Sequence, residues 1–280
     1  MKKKNTNNDE QIEGAEQELP PILYHYCTGE AFVNIIKSNQ IRLSHISTMN
    51  DTYEGCWFIE KWEEAKKANP EIFTCNVFDS KREIYESPIH FMCFSETGDL
   101  KSQWNEYAAN GKGFAIGFNT AFFDFPTWSP DCLINGKDTT WCKVIYNETV
   151  QKKCLIKMMD IINNNPSHGS VRGVSVAQSY IHKHPMFAEE EEWRLVRASR
   201  QKPQNIDYRW SEFGLSSFVE LGLKPKDSVY PIAEIIIGPK NSTTKDNLIN
   251  FLKDNNLTKY IFAEYASLNT KVKKSELPLR

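Results

Sequence analysis

Phe187-Ala188-Glu189-Glu190-Glu191-Glu192-Trp193-Arg194-Leu195-Val196 runs four carboxylates straight into Trp-Arg and then an apolar pair. Two readings compete for it. A charge run of this kind commonly marks the wet face of a helix. Read instead as a strand, successive side chains alternate between faces. Glu190, Glu192 and Arg194 then share one side, and Glu189, Glu191 and Trp193 take the other. Two carboxylates beside an arginine can stabilise a developing cation. The opposite face is left to surface or structural roles.

The surrounding chain is ordinary in bulk. Its 280 residues are 40% hydrophobic and 25% charged, enough to bury a core. Thirty-four basic residues against 36 acidic ones leave a net charge of −2. No global positive field therefore draws the protein to nucleic acid or anionic lipid. Seven cysteines, at 27, 56, 75, 93, 132, 142 and 154, form no Cys-x-x-Cys pair. An odd count at wide spacing speaks against a disulfide framework or a zinc ribbon, and for thiols in a reducing cytoplasm. Lys2-Lys3-Lys4 is followed by no apolar segment, so no secretory signal is read. No run approaches the roughly 18 apolar residues of a membrane helix. The expected compartment is the cytoplasm, with no membrane partner.

Residues 1–20 are polar and read as a disordered or loosely docked tail, leaving 21–280 as one domain. Ile22–Cys27 is a short aromatic strand, and Thr28 is placed to cap a helix in which Phe32, Ile35 and Ile36 share a face. Ile41–Ser44 is the second strand, and Met49-Asn50-Asp51 turns into a helix over 54–68. Residues 69–87 are ambiguous. Further strands are expected at 90–95, 113–118, 141–146, 231–239 and 260–263, with helices at 102–108, 150–165, 173–183 and from a cap at Ser242 or Thr243 to Lys253. Many short strands, a few helices and no regular alternation indicate an α+β fold, with a mixed or antiparallel sheet and helical insertions.

No Walker or Rossmann glycine loop is present. His182-x-His184 offers two metal ligands with no third at a telling spacing, so no metal is expected. Cys93, inside an apolar strand, reads as a packed thiol. Four pieces remain: His25 between two tyrosines, Asn50-Asp51 with Glu54, Ser95 at a strand end, and Trp104-x-x-Tyr107 at helical spacing. Each taken alone reads as core, turn or cap.

In order along the chain, these pieces resemble the DUF2971 family of bacterial proteins. The resemblance is carried by Tyr24-His25-Tyr26, by Ile41-Arg42-Leu43-Ser44 leading to Met49-Asn50-Asp51-x-x-Glu54, and by Cys93-Phe94-Ser95-Glu96. It continues through Trp104-x-x-Tyr107 with Gly113, Phe187-x-x-Glu190-x-Glu192-Trp193-Arg194-Leu195-Val196, Ile235-Ile236-Ile237-Gly238-Pro239-Lys240 and Lys274-Ser275-x-x-Pro278-x-Arg280. Placed among these motifs, the acidic stretch is expected to be a strand.

A more distant resemblance is to ADP-ribosyltransferases, which pair a first-strand His with a late Glu-x-Glu strand. It implies an ADP-ribosyltransferase-like fold and NAD as substrate, cleaved at the nicotinamide N-glycosidic bond. Carried over residue by residue, Glu192 is the catalytic glutamate and Glu190 its partner on the nucleophile side. His25 contacts the ribose, and Ser95 is the strand-end polar group. Phe94-Ser95-Glu96 stands where those transferases have Ser-Thr-Ser. Tyr26, Trp104 or Tyr107 can stack on nicotinamide or adenine, and Arg42 can pair with the pyrophosphate. Ser44, Asn50 and Arg194 complete the cofactor-binding set, Arg194 keeping Glu192 ionised. The acceptor is a protein or nucleic acid, and a toxin or phage-defence effector is the implied setting. The rival expectations are a non-enzymatic nucleotide-sensing domain, and a Mg-dependent nuclease or RNA-modifying module using Asp51, Glu54 and Glu192.

Overall fold

Runs of β-branched and aromatic residues separated by turn formers become strands that belong to one sheet. In the computed structural model of the chain, the described residues are 18–45, 56–73, 88–127, 138–164, 180–198, 205–211, 214–224, 229–255 and 271–278. Among them, ten strands join in that sheet. They are β1 (Ile22–Cys27), β2 (Gln40–His45), β3 (Ile89–Ser95), β4 (Phe114–Asn119), β5 (Thr139–Lys143), β6 (Glu192–Ala198), β7 (Asp207–Ser211), β8 (Gly214–Gly222), β9 (Ile232–Ile237) and β10 (Val272–Lys274). The path runs β10-β9-β4-β1-β3-β2-β8-β7, and β6 pairs with both β3 and β5. β10 is parallel to β9 and the other strand pairings are antiparallel. With helices at Gly29–Ser38, Cys56–Ala68, Lys101–Glu106, Thr120–Phe123, Glu148–Asn164 and Lys245–Asp254, the class is α+β. No helix among the described residues is long and apolar enough to cross a membrane.

Alternation divides the sheet into two faces. One carries Leu23, Cys27, Ile41, Leu43, Met92, Phe94, Ile116, Trp193 and Leu195 into the largest core, against Phe32 and Ile36 of the first helix and Leu248 and Leu252 of the last. The first helix starts where Thr28 accepts from the Ala31 N–H and stops at a left-handed Asn39. The other face carries Tyr24, Tyr26, Cys93, Ser95, Glu192 and Arg194, because Tyr24 registers with Ser95, Ser95 with Glu192 and Cys93 with Arg194.

β3 is the hinge of this sheet. Along one edge it pairs with β6 over its full length. Along the other edge it meets β2 at His90 and Phe91, and β1 only at Ser95. Between those points β1 and β2 separate, and His25 Nδ1–H donates to the Cys93 carbonyl at 3.0 Å in place of a ladder bond.

Several boundaries differ from the sequence reading. The strand expected from 187 begins at Glu192; Pro185–Glu190 is a 3-10 turn. Pro185 suits a first turn, His184 accepts from the Met186 N–H, and Glu191 ends the turn in the left-handed region at φ 45°. The strand expected at 141–146 occupies Thr139–Lys143. Thr244, rather than Ser242 or Thr243, caps the last helix, its hydroxyl accepting from the Asn247 N–H. The β7–β8 hairpin, the turn of helix at Thr120–Phe123 and β10 were not expected. The expected strand at 260–263, the Asn50-Asp51-Glu54 turn and most of the helix at 173–183 lie outside the described residues.

Candidate functional site

The start of β6 carries the chemistry. Glu192 opens the strand opposite Ser95, and Arg194 stands opposite Cys93 on the same face. The 3-10 turn before β6 folds Glu190 back onto that face. Lys183 arrives from a third direction. Its backbone N–H donates to Ile145 O at 3.2 Å, the Ile145 N–H donates to Ile181 O at 2.6 Å, and the Gln151 amide donates to the carbonyls of Ile145 and Lys183.

Four charges meet there, each about nine-tenths buried or more: Lys183 6% exposed, Glu190 6%, Glu192 5% and Arg194 2%. Arg194 grips Glu192 with both edges of its fork, Nε to Oε1 at 2.7 Å and Nη2 to Oε2 at 3.1 Å. Lys183 Nζ donates to Glu190 Oε2 at 2.6 Å and to Glu192 Oε2 at 3.3 Å. Arg194 also donates to the Tyr180 carbonyl at 2.8 Å and lies over the Phe91 ring at 4.7 Å. Two charges of each sign cancel, which is how buried charges are tolerated.

Burial raises the pKa of Glu192, but the charges and hydrogen bonds of Arg194, with Lys183 and the Cys93 thiol, outweigh it and hold the carboxyl well below the usual range. Two tyrosines frame the carboxylates. Tyr107 is pushed far up by burial and then by the charge of Glu190, and Tyr146 by burial and then by Glu192 and Glu190. The Glu192 N–H donates to the Tyr146 hydroxyl oxygen at 3.2 Å. The result is an ionised Glu192 carboxylate beside Glu190, two neutral phenols and a thiol.

Of the residues singled out from sequence, Glu190, Glu192, Arg194, Ser95 and Tyr107 come together here. His25 sits one strand away, at the split. Burial pushes its imidazole down to about 4, against the pull of its bond to Cys93 O, and Arg209 adds to the lowering. Tyr26 and Trp104 are in contact but packed inside, with rings edge-on at 4.9 Å and Trp104 fully buried. The Tyr26 hydroxyl donates to Thr97 O at 2.7 Å and accepts from the Leu100 N–H at 2.9 Å. The Trp104 indole donates to Asp99 at 2.6 Å. These two rings hold the segment from β3 to Tyr107 rather than offering a free face. Arg42 and Ser44 lie across the split on β2, and Asn50 lies outside the described residues.

Lys183, Tyr146 and Cys93 were missed as site residues. Alternation within 187–196 says nothing about partners brought in by the bridge between Ile145 and His182. Among the described residues no group of three or more His, Cys, Asp or Glu is placed to hold a metal ion.

No curated protein and no solved structure matches the chain. Residues 103–195, the stretch that supplies Tyr107, Tyr146, Lys183, Glu190, Glu192 and Arg194, match the model of the family described as "Protein of unknown function (DUF2971)".

Proposed function

We propose that the chain binds NAD and acts on its nicotinamide N-glycosidic bond, as ADP-ribosyltransferases do, passing ADP-ribose to a protein or nucleic-acid acceptor or to water. One observation carries this reading: Glu192 is held ionised by Arg194 and Lys183 at a strand end, beside Ser95, the Cys93 thiol and two phenols. When the C1′–N bond breaks, its electron pair leaves with nicotinamide and neutralises the pyridinium. The ribosyl centre becomes oxocarbenium-like, and a fixed anion lowers the energy of that charge. Glu190 stands on the nucleophile side. The acceptor O–H or water attacks C1′, and its proton passes to Glu190 or to solvent. Action in the cytoplasm as a toxin or phage-defence effector belongs to the same reading.

A second reading is favoured by the completeness of the charge cluster. Glu192 already takes bonds from both Arg194 and Lys183, so the site is electrostatically satisfied without a substrate cation. On that reading the chain senses a nucleotide and leaves it intact.

Incubation with NAD and measurement of both bound NAD and released nicotinamide separates the two. The enzymatic reading expects release that falls at least about a hundredfold in Glu192→Gln. Binding without release under any acceptor supports the sensor, and neither binding nor release defeats both.

A further inference from the structure

Across the split from His25, two arginines converge on one rung of the sheet. Residues Ser216, Phe218 and Glu220 of β8 point to one face, successive ones roughly 7 Å apart. Arg209 of β7 is opposite Ser216, Ser44 of β2 is opposite Phe218, and Arg42 of β2 is opposite Glu220. Neither arginine stays on its own rung. Arg209 crosses β8 and donates from Nη2 to Ser44 Oγ at 3.0 Å. Arg42 leans the other way, its guanidinium 4.3 Å from the centre of the Phe218 ring. Both cations therefore gather at the Ser44–Phe218 rung.

Asp207 of β7 also stands opposite Phe218 on this rung, but its carboxylate accepts from the Tyr208 N–H and does not pair with Arg209. Arg42 pairs with Glu220 at 3.2 Å. Among the described residues no carboxylate pairs with Arg209. Burial, and then the charge of Arg42, make the protonated state of Arg209 harder to hold. Like charges brought together repel each other, weakly at an exposed surface, and an anion between them removes the conflict. His25 does not compete for that anion, because it is neutral and spends Nδ1–H on Cys93 O.

We propose that Arg209, Arg42 and Ser44 form a binding site for a phosphoryl group, with the Phe218 ring steadying the Arg42 guanidinium. Beyond the bonds to Ser44 and Glu220, the two guanidinium groups keep further N–H donors, which suits a phosphoryl group with several acceptor oxygens. The site's position beside the β1–β2 split points to the phosphates of a nucleotide lying towards Glu192. Naming those phosphates as the pyrophosphate of NAD rests on the function proposed above; the phosphoryl chemistry does not. Arg209 and Ser44 are the residues that decide affinity, with Arg42 held partly by Glu220.

Calorimetric titration of the full chain with inorganic pyrophosphate, ADP-ribose and NAD, in phosphate-free buffer at low salt, tests this. Pyrophosphate and ADP-ribose are expected to bind, and Arg209→Ala to weaken both at least about tenfold. Arg209→Lys should recover only part of the loss, since an ammonium cannot fork. Thermal melts of each variant, which are expected to match wild type, separate lost binding from lost folding. Affinities unchanged in Arg209→Ala and Arg42→Ala, or no binding of any of the three ligands, overturn the site. Arg209-dependent pyrophosphate binding without nicotinamide release overturns NAD cleavage and leaves this site standing.

Discussion

Glu192 has a carboxylate whose surroundings do two opposing things. Burial alone would neutralise it, and Arg194 and Lys183 prevent that. Removing the charge strands the buried Arg194 and leaves Lys183 to Glu190 alone. Glu192→Gln should therefore cost about 3–5 kcal/mol of stability, read as a lower denaturation midpoint. Glu190→Gln should cost less, because Lys183 keeps its bond to Glu192. The pH dependence has a fixed sign. The folded pKa of Glu192 lies below the unfolded value, so its contribution is fully present above about pH 4.3 and is lost as pH falls through the folded pKa. Denaturation midpoints from pH 6 to pH 2 should show that loss in wild type and less of it in Glu192→Gln. The pairing of Arg194 with Glu192 was legible by parity, since i and i+2 share a strand face. The inclusion of Glu190 was reached by parity too, although a 3-10 turn and a left-handed Glu191 place it. Lys183 was not legible, because nothing local links it to Ile145.

The segment from β3 to Tyr107 is the element that positions the site, and it is held by packing. Asp99 accepts from the Trp104 indole and from Ser275 Oγ, both at 2.6 Å, and from the Glu276 N–H at 2.8 Å. Leu277 packs against the same Tyr26–Trp104 cluster. Ser275 and Glu276 are thus a latch on the loop that leads into the helix ending at Tyr107. Asp99→Ala should leave the buried Trp104 indole unsatisfied, costing about 1–3 kcal/mol, and should speed limited proteolysis near residues 275–278. Gly98 has a related duty. A Cβ there would stand 2.5 Å from the Tyr24 ring. Gly98→Ala is expected to destabilise by about 1–3 kcal/mol, measured by thermal melting. Gly113 likewise lets the turn after Ala108 pass against the Cys27 carbonyl, and its own carbonyl accepts from the Gly238 N–H and the Asn241 amide. Trp104-x-x-Tyr107, Gly113 and Gly238-Pro239-Lys240 are therefore one packed corner. Their spacing revealed that they matter; it could not separate a stacking platform from a wedge, since both call for an aromatic at helical period. The β7–β8 hairpin is illegible in the sequence for the opposite reason. Trp210 at 81% and Leu215 at 63% exposure lie outside the core, so burial did not shape the pattern there.

At the scale of the molecule, the sheet splits where β1 and β2 part along β3. The split places Ser95, Cys93 and Glu192 near one side and the Arg42–Arg209 pair near the other. The α+β class and most strands were legible, because apolar runs bounded by turn residues mark them. Topology was not, because β6 reaches β3 from a hundred residues away. The histidines at the split and at the start of β3 make the whole fold sensitive to mild acid. Burial, the first cause for each, pushes His25 and His90 down to about 4, while an unfolded chain takes up those protons near 6.5. Their contribution is full above pH 6.5 and is lost as pH falls towards 4, so denaturant midpoints should drop across that window and drop less in His90→Phe. NAD cleavage at Glu192 is the activity we propose for this face. Its most direct test is the rate of nicotinamide release from NAD by the full chain and by Glu192→Gln, followed by chromatography with a protein or nucleic-acid acceptor present and absent. Release by wild type that is lost in a folded Glu192→Gln is the expected result; no release from wild type with any acceptor, or equal release from both, would contradict it.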